Sequence, residues 1–182
     1  MNRIAIMTRL IAIITVISLN ATAALAGGIS QAFSDSVFGV KWSEKIEEVQ
    51  EKLPGGKETS LLSGAIRNYV VKDGREIMLV RRREKDKITF SFSQGRLTHI
   101  GIEFDPKTEV YGAILSRLQS SFGAYETLPA SESLGGSIVC WPVDDGVAIR
   151  LIQYPSGFAG NALILEISKT GMEEFDKARS GF

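Results

Sequence analysis

The chain has 182 residues, with 21 basic and 21 acidic side chains and one histidine, so its formal net charge at pH 7 is zero. This balance argues against attraction of the whole molecule to nucleic acid or to anionic membranes. Because the chain has a single cysteine, it cannot form an internal disulfide, which excludes a disulfide-stapled scaffold.

Residues 1–26 have the pattern of a secretory signal peptide. Arg3 and Arg9 precede an apolar run of about ten residues, whereas a membrane-spanning helix needs about 20. Ala24-Leu25-Ala26 then supplies the small residues that signal peptidase requires. We therefore expect a bacterial Sec-type signal, cleavage near Ala26, and a periplasmic or secreted mature protein without stable membrane insertion. A retained membrane anchor is the alternative.

The mature chain is predicted to contain a flexible lead-in over residues 27–37 and a single α+β domain over residues 38–182. The first elements of the domain are a short strand from Phe38 to Trp42 and a helix with Ser43 as its N-cap. The apolar stripe of this helix consists of Ile46, Val49 and Leu53.

Four strands are predicted next, over residues 65–71, 76–82, 88–92 and 98–104. The first two flank Asp73-Gly74, a dipeptide that tolerates the positive φ of a tight turn. In the second pair, apolar residues alternate along both strands, and the two apolar sets are expected to lie on the same face of the sheet. A two-residue turn would place them on opposite faces, so we expect a three-residue loop, Ser93-Gln94-Gly95, with Gly95 left-handed.

A second helix is predicted from Asp105-Pro106 to Gly123, followed by strands over residues 137–141, 147–154 and 162–167 and a final helix from about Met172 to Arg179. The order is β-α-ββββ-α-βββ-α. It predicts an antiparallel meander sheet with the two main helices packed on one face. Because each half places a helix before a run of strands, the order also indicates a weak two-module repeat.

Two segments resemble parts of small bacterial envelope domains: Phe38-Gly39-Val40-Lys41-Trp42-Ser43, and Phe90 to Leu97 leading into a helix that ends at Phe122-Gly123. They are similar to the helix-plus-antiparallel-sheet modules of β-lactamase-inhibitor-like proteins and of small outer-membrane assembly lipoproteins. The chain departs from the first group by lacking its disulfides and from the second by lacking a lipidated cysteine. The resemblance implies a module that binds proteins or ligands and is not an enzyme.

The sequence predicts no catalytic, cofactor or metal site. Cys140 lies inside one predicted strand, while His99 lies on another, on the outer face with Leu97, and nothing in the pattern brings cysteine and histidine together. One histidine and one cysteine about 40 residues apart do not match the ligand spacing of zinc or copper sites. We interpret Cys140 as a buried apolar residue, with an intermolecular disulfide as the alternative.

Two surfaces are candidates for partner contact. The first is the basic run at the predicted hairpin tip, which consists of Arg81, Arg82, Arg83, Lys85 and Lys87. It suits an anionic envelope component or an acidic protein surface, and the alternative is a solvated turn that protects a strand edge. The second is the loop that begins at Tyr154 and contains Phe158, whose rings either form an interface or fold onto the core.

These features predict an exported, non-catalytic binding or interaction module of the bacterial periplasm. Its partner is expected to be a protein or an anionic envelope component, not a nucleic acid, and no cofactor is expected. The alternatives are a small periplasmic enzyme with a site assembled from scattered residues, and a structural envelope or stress protein.

Overall fold

A computed structural model describes residues 28–128, 136–154 and 162–169. Within these ranges the chain is α+β, as predicted. The helices are α1 (Ile29–Phe33), α2 (Ile46–Lys52) and α3 (Thr108–Phe122). The strands are β1 (Ser36–Val37), β2 (Val40–Lys41), β3 (Lys57–Leu61), β4 (Ile66–Lys72), β5 (Lys87–Ser93), β6 (Arg96–Phe104), β7 (Glu126–Thr127), β8 (Ser137–Cys140), β9 (Val147–Tyr154) and β10 (Ala162–Lys169).

Three predicted features lie outside the described residues: the signal peptide, the position of Phe158, and the final helix near Met172. Among the helices that are described, none has the length and apolar character needed to cross a bilayer.

Eight of the strands form one antiparallel sheet in the order β3-β4-β5-β6-β10-β9-β8-β7, while β1 and β2 form a separate hairpin. From each edge of the sheet to its centre, four strands follow one another in chain order, β3 to β6 from one edge and β7 to β10 from the other. Each half is a helix followed by a four-stranded meander, and the last strands of the two halves, β6 and β10, pair at the centre with Ile102 opposite Leu165. The two-module repeat expected from the element order therefore corresponds to two similar halves joined at one strand pair.

One face of the sheet carries the apolar core. Side chains alternate between faces along each strand, and the apolar side chains on the core face of β5, β6, β9 and β10 are buried, as Phe90 and Leu165 illustrate. The two main helices contribute Ile46, Val49, Ile114 and Leu118 to the same cluster. Both helices therefore pack on this face, which agrees with the prediction from sequence.

The start of α2 differs from the predicted one. Its N-cap is Lys45 instead of Ser43, and the Lys45 amide donates to the Glu48 carboxylate at 2.7 Å. The backbone oxygen of Glu44 accepts a hydrogen bond from the Leu97 amide at 3.2 Å, and this contact with β6 ties Glu44 to the sheet just before the helix begins.

Residues 28–37 lie in the segment expected to be a flexible lead-in, and the structure packs them against the domain. Ile29 is buried in the core, and the Phe33 ring lies 6.0 Å from the Phe122 ring. The Trp42 indole donates to the Phe33 carbonyl at 2.7 Å. These residues therefore belong to the folded domain.

The turn between β5 and β6 is shorter than predicted. Ser93 pairs with Arg96 across a two-residue turn, so the three-residue loop is wrong, although Gly95 is left-handed as expected (φ +77°). A β-bulge between the Ser91–His99 and Phe92–Leu97 pairs adds one residue to β6 and restores the alignment of apolar side chains. Leu97 consequently lies in the core, and not on the outer face as predicted.

The predicted strand over residues 76–82 is also wrong. The structure places a loop there, and β4 pairs with β3 on one side and directly with β5 on the other. All residues of β3 are exposed and show no apolar alternation, so this edge strand carries no strand signal in the sequence.

Tyr69 fixes the connection between α2 and β3 from the neighbouring strand β4. Its buried hydroxyl donates to the Leu53 carbonyl at 2.6 Å and accepts from the Gly56 amide at 2.8 Å. A Cβ atom on Gly56 would lie 2.4 Å from the Tyr69 ring, so only glycine fits beside it. One hydroxyl thus satisfies two backbone groups of the turn.

We expect Tyr69→Phe to lower the free energy of unfolding by about 1–3 kcal/mol, because it leaves both backbone groups without their partner while keeping the ring. Urea denaturation measures this loss. Tyr111→Phe is the control, since the Tyr111 hydroxyl is 3.1 Å from a Ser137 hydroxyl that can rotate to another partner. Equal losses in the two variants would contradict the role assigned to Tyr69.

Candidate functional site

The connection from β4 to β5 is long for two adjacent antiparallel strands. It comprises residues 73–86, which we name the braced loop. Its two ends meet where the Asp73 amide donates to the Asp86 carbonyl at 2.9 Å. Connections of this length without regular structure are uncommon in compact domains and frequently carry function.

Arg82 attaches the braced loop to the sheet. Its guanidinium donates from Nε to the Glu103 carbonyl at 2.7 Å and from Nη2 to the Lys87 carbonyl at 2.8 Å. The guanidinium carbon lies 5.5 Å from the centroid of the Phe104 ring, and the whole residue is buried. Burial lowers the pKa of Arg82, yet arginine remains charged in proteins. This side chain therefore holds the loop from inside and is not available to a partner.

A second brace lies at the C-terminal end of the loop. The Asp86 carboxylate is buried and accepts from the Arg83 amide at 2.8 Å and from the Arg83 Nε at 2.7 Å. Lys87 Nζ lies 3.8 Å from the Glu103 carboxylate. Of the five basic residues considered for partner contact, three thus have partners within the fold, whereas Arg81 and Lys85 are exposed. The basic run is therefore not the tip of a two-stranded hairpin, because no strand continues through residues 73–86.

The N-terminal end of the loop is braced by Asp73 and Arg75. Arg75 donates to the Asp73 carboxylate from its amide at 3.0 Å and from Nε at 2.7 Å, and its guanidinium lies 5.6 Å from the Phe38 ring centroid. Burial alone would raise the pKa of Asp73, but these hydrogen bonds lower it. A Cβ atom on Gly74 would lie 2.8 Å from the Glu84 backbone, so this glycine permits close approach of the two ends and does not form the predicted turn.

The tip of the loop is a two-residue turn in which Leu79 is exposed, whereas Met78 is partly buried against the core. Ile77 and Val80 are buried and exchange backbone hydrogen bonds at 3.2 and 2.9 Å. Between them, Met78 and Leu79 both have positive φ, at 54° and 57°, which is the type I′ pattern. The Leu79 residue is 76% exposed. We name Met78 and Leu79 the apolar tip.

Comparable turns in the same chain show that this one is unusual. Among the described residues, the two-residue turns with positive φ at both positions also include Phe38-Gly39, Gln94-Gly95 and Asp145-Gly146, each ending in glycine. A left-handed conformation costs about 1–2 kcal/mol for a residue with a Cβ atom. Of these four turns, the apolar tip is the one in which both residues carry a bulky side chain. Backbone strain of this kind clusters at functional sites.

The opposite face of the sheet carries the ionisable residues His99, Glu166, Arg150 and Cys140. Gly101, Glu166, Arg150 and Cys140 are successive partners across β6, β10, β9 and β8. His99 Nε2 lies 3.7 Å from Glu166 Oε1, and both residues are buried. Within the part of the chain that the structure describes, no group of three or more potential ligands is arranged to hold a metal ion.

Cys140 is half-buried on β8, and burial raises the pKa of its thiol above the ordinary value. Two strands separate β8 from β6, and Cys140 is level with Gly101, so by strand spacing its backbone lies more than about 14 Å from that of His99. The structure therefore does not bring the two side chains together as a nucleophile and base.

The other aromatic residues lie in the core or at its edge. Trp42 and Trp141 are buried, and the Trp141 indole donates to the Gly123 carbonyl at 3.1 Å. Tyr154 ends β9 and is half-buried, while Phe158 lies beyond the described residues.

Comparison of the chain with known protein families, curated proteins and solved structures found no match.

Arg82→Ala should lower the free energy of unfolding by about 2–3 kcal/mol, since the Glu103 and Lys87 carbonyls lose charge-assisted hydrogen bonds. Arg81→Ala is the matched control, because the neighbouring arginine is exposed and its loss should change stability by less than about 0.5 kcal/mol. Chemical denaturation compares the two variants. If Arg81→Ala proved as destabilising as Arg82→Ala, the bracing role of Arg82 would be refuted.

Proposed function

We propose that this protein is an exported, non-catalytic interaction module of the bacterial periplasm, and that the apolar tip of the braced loop contacts its protein partner. The observation that carries the proposal is Leu79, which is 76% exposed at φ 57°. Glycine at this position would relieve the backbone and remove the apolar side chain from water. The leucine is thus unfavourable for the isolated domain in both respects.

A protein pocket is the partner that this geometry fits. Complete burial of a leucine side chain contributes about 1.5–3 kcal/mol. Because the braces at Arg82 and Asp86 already order the loop, binding would require little further loss of conformational entropy.

Exposed charges of both signs lie beside the tip. Arg81 follows the turn directly and Lys85 lies farther along the loop, while the exposed carboxylates Glu76 and Glu84 lie next to them in the chain. The two cations complement acidic groups of a partner, and they would contribute mainly to the rate of association. The partner inferred is therefore a periplasmic protein with an apolar pocket, whose rim places acidic groups opposite Arg81 and Lys85.

Export rests on the N-terminal pattern alone. Arg3, the apolar run and Ala24-Leu25-Ala26 support delivery through the Sec system. The expected mature protein begins near Gly27 and is released from the membrane.

A photo-crosslinking amino acid at position 79 should give a discrete product with one protein in intact cells, because the tip is expected to enter the partner's pocket. The same amino acid at position 143 is the control, since Val143 is also an exposed apolar residue, at 60%, but lies in another loop. Gel electrophoresis and mass spectrometry identify the products.

Arg81→Glu combined with Lys85→Glu should strongly reduce the product formed from position 79, because both changes place negative charge against the acidic rim. No product from position 79, or the same products from both positions, would contradict the proposed contact. Recovery of uncleaved chain in the membrane fraction would contradict cleavage of the signal and release from the membrane.

A further inference from the structure

The eight-stranded sheet ends at β3 on one side, and the outer edge of this strand is open. Among the strands that the structure describes, β3 pairs only with β4, in a continuous register from Lys57–Val70 to Leu61–Ile66. All five residues of β3 are exposed. Backbone groups of alternate residues therefore point away from β4, where no described strand accepts them. The opposite edge of the sheet offers less backbone, since β7 has only two residues.

Contacts within the domain already hold this edge in place. The Tyr69 hydroxyl fixes the turn that precedes β3 through its hydrogen bond with the Gly56 amide at 2.8 Å. On the same face of the sheet, Arg67 Nε donates to the Glu58 carboxylate at 2.8 Å, and this hydrogen bond lowers the pKa of Glu58. Arg67 and Glu58 therefore balance each other's charge. A strand added here would meet an ordered backbone, so binding costs the domain little conformational entropy.

The C-terminal end of β3 carries exposed apolar side chains. Leu61 is 52% exposed, and Leu62, which follows it, is 43% exposed with a left-handed backbone at φ 51°. A leucine in this conformation is strained, and Leu79 in the braced loop shows the same combination of strain and exposure. The open backbone edge and the apolar end are independent observations. Both fit an added segment that places an apolar residue opposite Leu61.

The charge of that segment follows from the face of the sheet that Leu61 shares. Because side chains alternate along a strand, Lys57, Thr59 and Leu61 lie on one face, and Lys72 lies on the same face two residues beyond Val70, the partner of Lys57. Both lysines are exposed, and neither forms a salt bridge within the described residues. A lysine at a sheet edge discourages indiscriminate pairing. An acidic residue opposite Lys57 converts that repulsion into a selective contact.

We propose that β3 binds an extended segment of a partner protein as an added outermost strand, antiparallel like every pair already present in the sheet. In this direction the residue opposite Leu61 comes first, and the residue opposite Lys57 comes four positions later. The segment recognised therefore has an apolar residue followed, four positions later, by aspartate or glutamate. A second copy of β3 paired about Thr59 does not fit, because it places leucine opposite Lys57. This surface requires neither export nor the apolar tip.

The probe is a labelled synthetic peptide, acetyl-Ser-Ile-Thr-Val-Lys-Glu-Ser-amide, whose isoleucine and glutamate have the required spacing. Fluorescence anisotropy with the purified protein should show saturable binding. N-methylation of either the threonine or the valine amide then tests for strand pairing, because only one of two successive amides faces β3. One methylated peptide should bind at least about tenfold more weakly and the other should bind as before. Equal affinities of the two methylated peptides, or no saturable binding of the parent, would overturn the proposal.

Variants of the protein locate the bound peptide. Leu61→Ser should weaken binding about tenfold, because it removes the apolar contact. Val143→Ser is the matched control, since Val143 is an exposed apolar residue outside β3, and it should leave the affinity unchanged. Equal effects of these two variants would show that the peptide binds elsewhere.

Charge reversal tests the acidic position of the segment. Lys57→Glu should weaken binding of the parent peptide about fivefold, and a peptide with lysine in place of its glutamate should restore the affinity. Lys41→Glu is the control, because Lys41 is exposed on the separate hairpin. Failure of the lysine peptide to bind Lys57→Glu more tightly than the parent peptide does would contradict the proposed register. A dimer in sedimentation velocity that Leu61→Ser dissociates would assign the edge to a second copy of the chain and overturn the proposal.

Discussion

The Arg82 guanidinium ties the braced loop to the sheet, and the geometry of the candidate site depends on this contact. It bonds to carbonyls that belong to β5 and β6 and lies over the Phe104 ring, so the loop is fixed against two strands and not merely joined to their ends. Ile77 and Val80 can then reach the core and Met78 packs against its edge, which leaves Leu79 exposed between them. The exposed leucine thus sits on a loop that is fixed by one buried arginine.

At the apolar tip, both the backbone conformation and the exposure of the leucine side chain are unfavourable for the protein without a partner. The other turns of this type in the described residues relieve their backbone with glycine, whereas Leu79 retains a Cβ atom at φ 57° and exposes its side chain to water. Neither feature stabilises the isolated domain. Both features are expected if the tip is already ordered before binding and then enters an apolar pocket of the partner, which removes it from water.

The sequence predicts the parts of this fold that depend on local pattern. The apolar stripes of α2 and α3 and the alternation in β5, β6, β9 and β10 locate those elements to within a few residues. The exposed strand β3 has no such alternation, and the bulge in β6 depends on pairing with a distant segment. Residues 76–82 have the apolar character of a strand. They form a loop because Arg82 is buried against β5 and β6, and the local sequence does not reveal this tertiary contact. For the same reason the apolar tip escapes prediction, since nothing local separates Met78-Leu79 from the interior of a strand.

The most direct test of this account is the free energy of unfolding of Leu79→Gly, measured by urea denaturation of the mature protein. Relief of the left-handed leucine should raise it by about 1 kcal/mol, with the dependence on urea unchanged. Gly95→Leu is the reciprocal control, because a Cβ atom at Gly95 meets nothing within 4 Å and its cost is conformational. It should lower the free energy of unfolding by a similar amount. A loss of stability in Leu79→Gly would show that the leucine supports the fold, and would contradict the claim that the tip is strained for binding.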